Sequence, residues 1–227
     1  MPAPGPVTSA ARGGVPQDPA RVPVEGVLAV VVDRGPRSAS GLRLFGRPLV
    51  AHALESVQGV QGLDVAVVAG RTRGVPPSAV LAPDAPWRGS ASSGLLVHDP
   101  MCPLLPSSAV RECLAALRPD GAVVGLRPVT DTIKQVDDGC IVGTVDRERL
   151  AALASPLVVG EQLLDRLAEA FPLAGDLADL PQLVEFVAGA VDVVEVVVPS
   201  LARRITDDDD VALLECLHAL RRTLPER

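Results

Sequence analysis

Arginine and threonine side chains recur in three short segments of this sequence, at residues 130–134, 144–147 and 204–206. A guanidinium group offers charge-assisted donors and a threonine hydroxyl adds another hydrogen bond, a combination that suits a phosphate monoester. Taken singly, each residue is more simply explained as a surface charge or a strand threonine. Phosphate binding therefore requires a fold that brings these segments together.

An aspartate, Asp99, directly follows an apolar run at residues 94–98. A carboxylate at the carboxyl end of a strand, beside a nucleotide cleft, can support Mg²⁺. The alternative for Asp99 is a turn or helix-cap acid. The four acids at residues 207–210 resemble a calcium cluster, but their position before an amphipathic run indicates caps that complement a helix dipole.

The histidines and cysteines do not indicate a further catalytic or metal centre. The three histidines form no triad, and the four cysteines lie far apart without C-x-x-C spacing, which is typical of small buried hydrophobes. Cys102 has no neighbouring base in sequence to make it a nucleophile. These residues are His52, His98, His218, Cys102, Cys113, Cys140 and Cys216.

Charge and composition restrict the partners. A net charge of −7 argues against a nucleic-acid groove, which needs a basic stripe. No window reaches the roughly 18 apolar residues of a membrane span, and residues 1–22 lack the apolar centre of a secretory signal. We expect a cytoplasmic protein with a disordered leader at residues 1–22 and one domain at residues 23–227.

Short apolar runs bounded by turn residues alternate with helical patterns. This alternation predicts an α/β fold with a doubly wound, mostly parallel sheet. Ser107 occupies the predicted N-cap of one helix. The predicted strands are residues 27–32, 64–69, 94–99, 122–126 and 191–198, and the predicted helices are residues 48–57, 107–117, 160–170, 180–188 and 207–220.

Residues 131–144 show a different pattern. Two short extended pieces flank Asp137, Asp138 and Gly139, and Asp-Gly is a signal for a tight hairpin turn. The sequence therefore predicts a β-hairpin here.

Taken in order, residues 97–99, 130–134, 144–147 and 204–206 resemble the 2-C-methyl-D-erythritol 4-phosphate cytidylyltransferase family, and the resemblance covers about residues 24–222. It implies a Rossmann-like nucleotidyltransferase three-layer sandwich whose β-arm, residues 131–147, forms a homodimer. It also implies transfer of CMP from CTP to 2-C-methyl-D-erythritol 4-phosphate in isoprenoid precursor synthesis, with Mg²⁺ as cofactor. The residues matching the acceptor-phosphate site are Thr132, Arg147, Arg204 and Thr206.

The triphosphate side of the resemblance is less complete. The family places a loop of the form Ala-Ala-Gly-x-Gly-x-Arg after its first strand, and only Gly35 and an arginine, here Arg37, keep their types as nucleotide-binding candidates. Ser40 aligns with the catalytic lysine of the family. Arg37 or Arg43 can carry the missing charge, although an arginine fork does not reproduce a lysine point charge.

Two further positions depart from the family. Cys102 stands where an arginine is expected, and Pro199 where a second acid is expected, so Asp99 is the remaining metal candidate. Two hypotheses follow. The chain transfers CMP as its family does, or it is a catalytically degenerate homologue that binds a phosphate ligand or pairs with a partner.

Overall fold

The computed structural model describes residues 22, 25–33, 41–69 and 92–223. Nearly all of the predicted leader at residues 1–22 lies outside the described residues. So do Gly35, Arg37 and Ser40, the residues predicted to bind nucleotide or to replace the catalytic lysine.

A six-stranded sheet forms the centre of the domain. The six strands are β1 Val27–Asp33, β4 Leu63–Ala69, β5 Gly94–His98, β6 Ala122–Pro128, β9 Ala151–Gly160 and β10 Val193–Val197. Their order across the sheet is β10-β6-β9-β5-β1-β4. Five of these strands run parallel and β9 runs antiparallel between β5 and β6. The Val-rich composition suits strands that are buried on both faces.

Helices cover both faces of this sheet. The helices are α1 Leu49–Gln58, α2 Ser107–Ala116, α3 Leu164–Ala170, α4 Leu180–Ala188 and α5 Asp208–Thr223. On one face, a hydrophobic cluster joins α1 and α2 to strand residues such as Val31, Leu96 and Val158. On the other face, a second hydrophobic cluster joins α3 and α4 to strand residues such as Val30 and Leu157.

The predicted Rossmann-like, three-layer architecture is therefore correct. Each of the five predicted strands and five predicted helices is present, with ends displaced by a few residues. The helix predicted at residues 160–170 begins as a 3₁₀ turn at Glu161–Leu163. Among the described residues, no helix is both long and apolar enough to cross a membrane.

The role predicted for Ser107 is wrong. Pro106 is the N-cap of α2 and makes no side-chain capping bond. The Ser107 hydroxyl instead donates to the Ser56 carbonyl, 2.8 Å away at the end of α1. It therefore ties two helices of one layer together.

Strand β9 carries a bulge opposite Gly125. Val124 pairs with Leu157 and Leu126 pairs with Leu153, so β9 has two more residues than β6 across this interval. Pro156 lies in the bulge, where its missing N–H breaks no ladder bond. A Cβ on Gly125 would lie 2.5 Å from the Ser155 carbonyl oxygen, so the bulge requires glycine on the facing strand.

The predicted hairpin is also present and stands apart from the main sheet. It consists of β7 Ile133–Asp137 and β8 Cys140–Val145, which pair only with each other. Asp138 and Gly139 form its turn with φ of 45° and 76°, the positive values that an Asp-Gly turn accommodates. A second, smaller hairpin, β2 Arg43–Leu44 and β3 Arg47–Pro48, precedes α1.

Replacing Gly125 with alanine should lower the free energy of unfolding by about 1–3 kcal/mol, because the added methyl group overlaps the β9 backbone. Chemical denaturation measures this change. Gly143→Ala is the matched control, since its nearest neighbour would be a Gln135 side-chain atom at 3.6 Å. The control should change stability by less than about 0.5 kcal/mol. Equal stability of the two variants would contradict the assigned bulge.

Candidate functional site

A cleft opens at the carboxyl ends of the parallel strands. This edge is where open α/β sheets bind ligands. The cleft has a volume of about 370 Å³, at the small end of the range for ligand sites. Its lining residues come from the segment after β5, the start of β9, the segment after β10 and the start of α4: Asp99, Cys102, Leu153, Ala154, Ala178, Asp179, Leu180, Pro181 and Arg204.

An ion pair between Asp99 and Arg204 is the main polar feature of the cleft. Arg204 Nε donates to Asp99 Oδ2 over 2.8 Å, and the Asp99 side chain is only 9% exposed. Burial lowers the pKa of Arg204, but the charge and hydrogen bond of Asp99 outweigh it, so the pKa lies above its ordinary value. The guanidinium is therefore fixed at the cleft as a permanent cation.

Backbone contacts hold both partners in place. Met101 N donates to Asp99 Oδ1 over 2.9 Å, so each carboxylate oxygen already accepts a hydrogen bond. Ile205 N donates to the Met101 carbonyl over 2.7 Å. The segment after β10 is thereby joined to the segment after β5, which brings Arg204 beside Asp99.

Ser155, in the bulge of β9, positions the start of the segment that follows β5. Its hydroxyl oxygen accepts from Asp99 N over 3.0 Å and lies 2.6 Å from His98 Nδ1. Because the Ser155 oxygen accepts from Asp99 N, the Ser155 O–H can donate to His98 Nδ1, which is then unprotonated. His98 is fully buried, and this desolvation lowers its pKa to about 3. The ring is therefore neutral.

Cys102 lies in the wall of the cleft as a neutral thiol. Only 1% of the residue is exposed, and burial followed by the charge of Asp99 raises the pKa of the thiol far above its ordinary value. A thiol that does not ionise is a poor nucleophile. The side chain thus contributes shape to the cleft and no charge.

The four acceptor-phosphate candidates lie in three places: the cleft, the base of the hairpin and the start of α5. Arg204 lies in the cleft, while Thr132 and Arg147 are exposed at the base of the hairpin, where Arg147 donates to the Thr130 carbonyl over 2.7 Å. The Thr206 hydroxyl donates to Asp210 Oδ2 over 2.5 Å. No hydrogen bond or ion pair among the described residues joins Thr132 or Arg147 to the cleft.

Two of the four acids at the start of α5, Asp207 and Asp210, act as caps, as the sequence predicts. Asp207 Oδ1 accepts from Asp210 N over 2.9 Å. Asp210 accepts from both the backbone and the hydroxyl of Thr206, and the hydroxyl bond is the largest cause of a lowered pKa of Asp210. Carboxylates occupied in this way stabilise the helix start and leave Thr206 bound within the protein.

Of the candidates to replace the catalytic lysine, only Arg43 lies among the described residues. It is exposed on β2 and donates to the Gly46 carbonyl over 3.0 Å, which closes its own small hairpin. It does not line the cleft. A role for Arg43 in nucleotide chemistry stays a prediction.

The described residues do not by themselves make a magnesium site. They contain no group of three or more His, Cys, Asp or Glu side chains that could hold a metal. Asp99 is the one candidate, and its two oxygens already accept hydrogen bonds from Met101 and Arg204. Mg²⁺ in nucleotide sites takes most of its ligands from phosphates and water. The described residues therefore fit Mg²⁺ poorly.

Two residues that shape the cleft are not evident from the sequence. Asp179 lines the cleft and caps α4 by accepting from Gln182 N over 3.2 Å, a role that the Pro at the helix start could have indicated. Ser155 contacts Asp99, which lies 56 residues away in sequence, through the pairing of β9 with β5, so no local pattern indicates its role.

A mostly parallel sheet, helices on both faces and a cleft at the strand ends define the Rossmann-like nucleotidyltransferase fold. Solved structures agree. The 2-C-methyl-D-erythritol 4-phosphate cytidylyltransferase of Thermus thermophilus superposes with a TM-score of 0.61 at 24% identity, covering 84% of this chain and 98% of that one. The 4-diphosphocytidyl-2C-methyl-D-erythritol synthase of Anaerococcus prevotii gives 0.60 at 18%, covering 87% and 100%. At these identities the likeness establishes the fold.

Sequence comparison establishes the family. The family model described as IspD: 2-C-methyl-D-erythritol 4-phosphate cytidylyltransferase matches residues 87–219, more than half of the chain. The enzyme of that name from Saccharopolyspora erythraea is 39% identical over 128 residues, and that from Prochlorococcus marinus 34% over 134. These matches span 55% and 58% of this chain and 55% and 59% of the relatives, so the chain spans little more than half of their length. The chain belongs to the IspD family.

The buried His98 should make stability depend on pH. The unfolded state binds a proton near pH 6.5 and the folded state only near pH 3, so the stability present above pH 6.5 is lost as the pH falls toward 3. We expect a loss of up to about 1.4 kcal/mol per pH unit in this window. Urea denaturation at pH 7 and pH 5 measures the loss.

His98→Gln should reduce this loss, while His218→Gln, on α5, should leave it unchanged. Direct titration of the ring by NMR checks the cause. A His98 resonance that titrates near pH 6.5 in the folded protein would contradict the prediction.

Proposed function

We propose that the chain binds a phosphate monoester, 2-C-methyl-D-erythritol 4-phosphate, in its cleft, and that its transfer of CMP from CTP is absent or very slow. The single observation that carries this proposal is the Asp99–Arg204 pair. One partner presents a fixed cation to the cleft, and the other is the remaining candidate for metal binding.

Arg204 is suited to hold the acceptor phosphate. Its Nε is used by Asp99, and the described residues provide no hydrogen-bond acceptor for its two terminal nitrogens. Its side chain is 49% exposed. Terminal guanidinium nitrogens can donate in parallel to two oxygens of one phosphate group. The resemblance places the family's acceptor-phosphate lysine at this position, so the charge is retained.

The same pair limits the transfer reaction. In-line attack on the α-phosphorus of CTP requires charges that align the reactants and stabilise the phosphates in the transition state. Here Asp99 is occupied by Arg204 and Met101. Cys102 replaces an expected arginine with a neutral thiol. An Asp99 carboxylate that is already paired, and a neutral thiol in place of a guanidinium at residue 102, both leave the reacting phosphates with less stabilisation.

The second candidate function is ordinary cytidylyl transfer. The match at residues 87–219 and the 39% identity to the Saccharopolyspora enzyme favour it, as does the presence of Thr132 and Arg147. Under this hypothesis, CTP, Mg²⁺ and the acceptor are bound as in the relatives, and Arg37 or Arg43 supplies the charge of the missing lysine.

We also propose that the hairpin arm, residues 131–147, forms a homodimer. All five residues of β7 and four of the six in β8 are exposed. Val136, Ile141 and Val142 are 60%, 68% and 57% exposed. A lone two-stranded hairpin is marginally stable in water, so a second copy that covers these side chains would stabilise it. The pairing would also bring Thr132 and Arg147 of one subunit to the partner's cleft.

Binding of the acceptor phosphate should depend on Arg204. We expect Arg204→Gln to weaken binding of 2-C-methyl-D-erythritol 4-phosphate about tenfold or more, since charge-assisted hydrogen bonds are lost and Asp99 is left unpaired. Isothermal titration calorimetry without nucleotide measures this. Arg166→Gln, an equal change of charge on an exposed face of α3, is the control and should bind as the wild type does. Unchanged affinity in Arg204→Gln would contradict the proposal.

Turnover of CTP with 2-C-methyl-D-erythritol 4-phosphate should be absent or several decades below that of the Saccharopolyspora relative. Loss of one transition-state donor costs on the order of 10²–10³ in rate, and the losses at Ser40, Cys102 and Pro199 act together. Ser40→Lys alone should not restore activity. A pyrophosphate-release assay measures both proteins side by side, and ordinary turnover by this chain would establish the second candidate instead.

Charged substitutions on the arm should dissociate the dimer. We expect Val136→Asp and Ile141→Asp to be monomeric at concentrations where the wild type is dimeric, because a carboxylate cannot be buried there without a partner. Sedimentation equilibrium measures the mass. Val197→Asp, at a 67% exposed position on the edge strand β10, is the matched control. A wild-type monomer, or equal dissociation of the control, would contradict this assignment.

A further inference from the structure

Strand β10 is one edge of the six-stranded sheet. It pairs with β6 on one side, and no other strand in the part of the chain that the structure describes pairs with its outer side. Val198 N donates to the Leu126 carbonyl over 2.9 Å, so the backbone of Val198 faces β6. Because backbone groups alternate in direction along a strand, those of Val193, Glu195 and Val197 face outward. Each of these residues thus offers one donor and one acceptor to a further strand.

The side chains of this edge are mostly apolar and accessible. Val194 and Val197 are 42% and 67% exposed, and Glu195, also exposed, is the one charged residue of the strand. Soluble proteins usually protect an exposed edge strand with a lysine, a proline or a bulge. β10 contains no lysine or proline, and its register with β6 has no irregularity. The edge is therefore suited to the addition of a strand from another chain.

Glu195 determines which strand can be added. It lies on the same face of the sheet as Val193 and Val197, because side chains alternate along a strand. When two β10 strands pair antiparallel through all their outward residues, two Glu195 side chains lie directly opposite each other, and like charges in that position are destabilising. A lysine or arginine opposite Glu195 would instead form a favourable cross-strand pair. The charge thus disfavours a second copy of the chain and favours a basic partner.

A cavity at the start of β10 adds to the negative charge of this edge. Its volume is about 460 Å³, and it lies at the amino ends of β6 and β10, at the opposite end of the sheet from the cleft. Val194 lines it together with Asp120 and Asp192. Arg118, also in its wall, lies 3.8 Å from Asp120, so the carboxylates outnumber the cation. A partner side chain beside Val194 therefore meets a negatively charged cavity.

We infer that β10 is a docking edge for an extended, basic segment of a partner protein. The segment adds as a strand to the outer side of β10 and exchanges backbone hydrogen bonds with Val193, Glu195 and Val197. Its central lysine or arginine pairs with Glu195, and apolar residues two positions to either side cover Val193 and Val197. In this mode of recognition the backbone bonds supply affinity and the side chains supply specificity. Neither the cleft nor the hairpin arm takes part, so the docking edge is independent of the proposed function.

Fluorescence anisotropy of a labelled peptide tests the docking edge. The probe is Thr-Val-Thr-Lys-Thr-Val-Thr, and its counterpart has glutamate in place of lysine. We expect the wild-type chain to prefer the lysine peptide by about fivefold or more, because one peptide gains an opposite-charge pair and the other a like-charge pair. Glu195→Lys should reverse the preference. Glu169→Lys, an equal change of charge at an exposed position of α3, is the matched control and should keep it.

A proline tests the backbone bonds separately. Val197→Pro removes an outward N–H that makes no bond to β6, so the edge strand should remain while binding of the lysine peptide weakens by about fivefold or more. Val197→Thr retains the N–H and a branched side chain, so it should bind the peptide as the wild type does. Neither variant changes the charge, so a peptide held only by the negative charge of the chain would bind both equally.

Three results would overturn the docking edge: no binding of the lysine peptide, a preference for lysine that survives Glu195→Lys, or equal binding by Val197→Pro and the wild type. A wild-type dimer that dissociates in Val197→Pro would assign the edge to a second copy of the chain instead. If Val197→Pro does not fold, Glu195→Lys still decides, because it alters the charge of an exposed side chain and introduces no proline.

Discussion

The contact on which the site depends is the Ser155 hydroxyl between β9 and the end of β5. It accepts from Asp99 N and bonds to the buried His98 ring, so it fixes the direction in which the chain leaves the sheet. The β9 bulge aims the hydroxyl there, and the bulge in turn requires Gly125 on the facing strand. The Asp99 carboxylate therefore enters the cleft at a position set by backbone packing, before any ligand is present.

Asp99 and Arg204 then determine which charges the cleft offers. A carboxylate that faced the cleft alone would repel phosphate and attract a cation. Because Asp99 accepts from Nε of Arg204, the carboxylate instead orients the guanidinium group and does not occupy its two terminal nitrogens. The ion pair thus favours binding of an anion over binding of a metal. The geometry that orients Arg204 toward an anion also occupies the Asp99 oxygens that a metal would need. A lysine in place of Arg204 would carry its charge and all its donors on one nitrogen, so it could not hold Asp99 with one nitrogen while two others bind a phosphate group in parallel.

The sequence predicted the parts of this molecule that depend on local pattern. The apolar runs identified the parallel strands, and the Asp138–Gly139 turn identified the hairpin. Strand β9 was missed because Pro156 argues against a central strand unless a bulge is known to lie there. Asp99 could be placed at a strand end, but its pairing with Arg204, 105 residues away, follows from strand order and not from local pattern.

The contacts of Asp99 also bear on how the departures from the family are explained. If every ligand of the cleft had been lost, nothing would keep a half-exposed guanidinium oriented at its edge. Arg204 is nevertheless held through Nε by Asp99, which is itself fixed by Met101 N. Cys102, where the resemblance expects an arginine, is a neutral thiol, so the cleft retains charge at Arg204 and lacks it at residue 102. An ion pair that orients a cation before any ligand is present favours a cleft that still binds an anion over one that has lost its ligand.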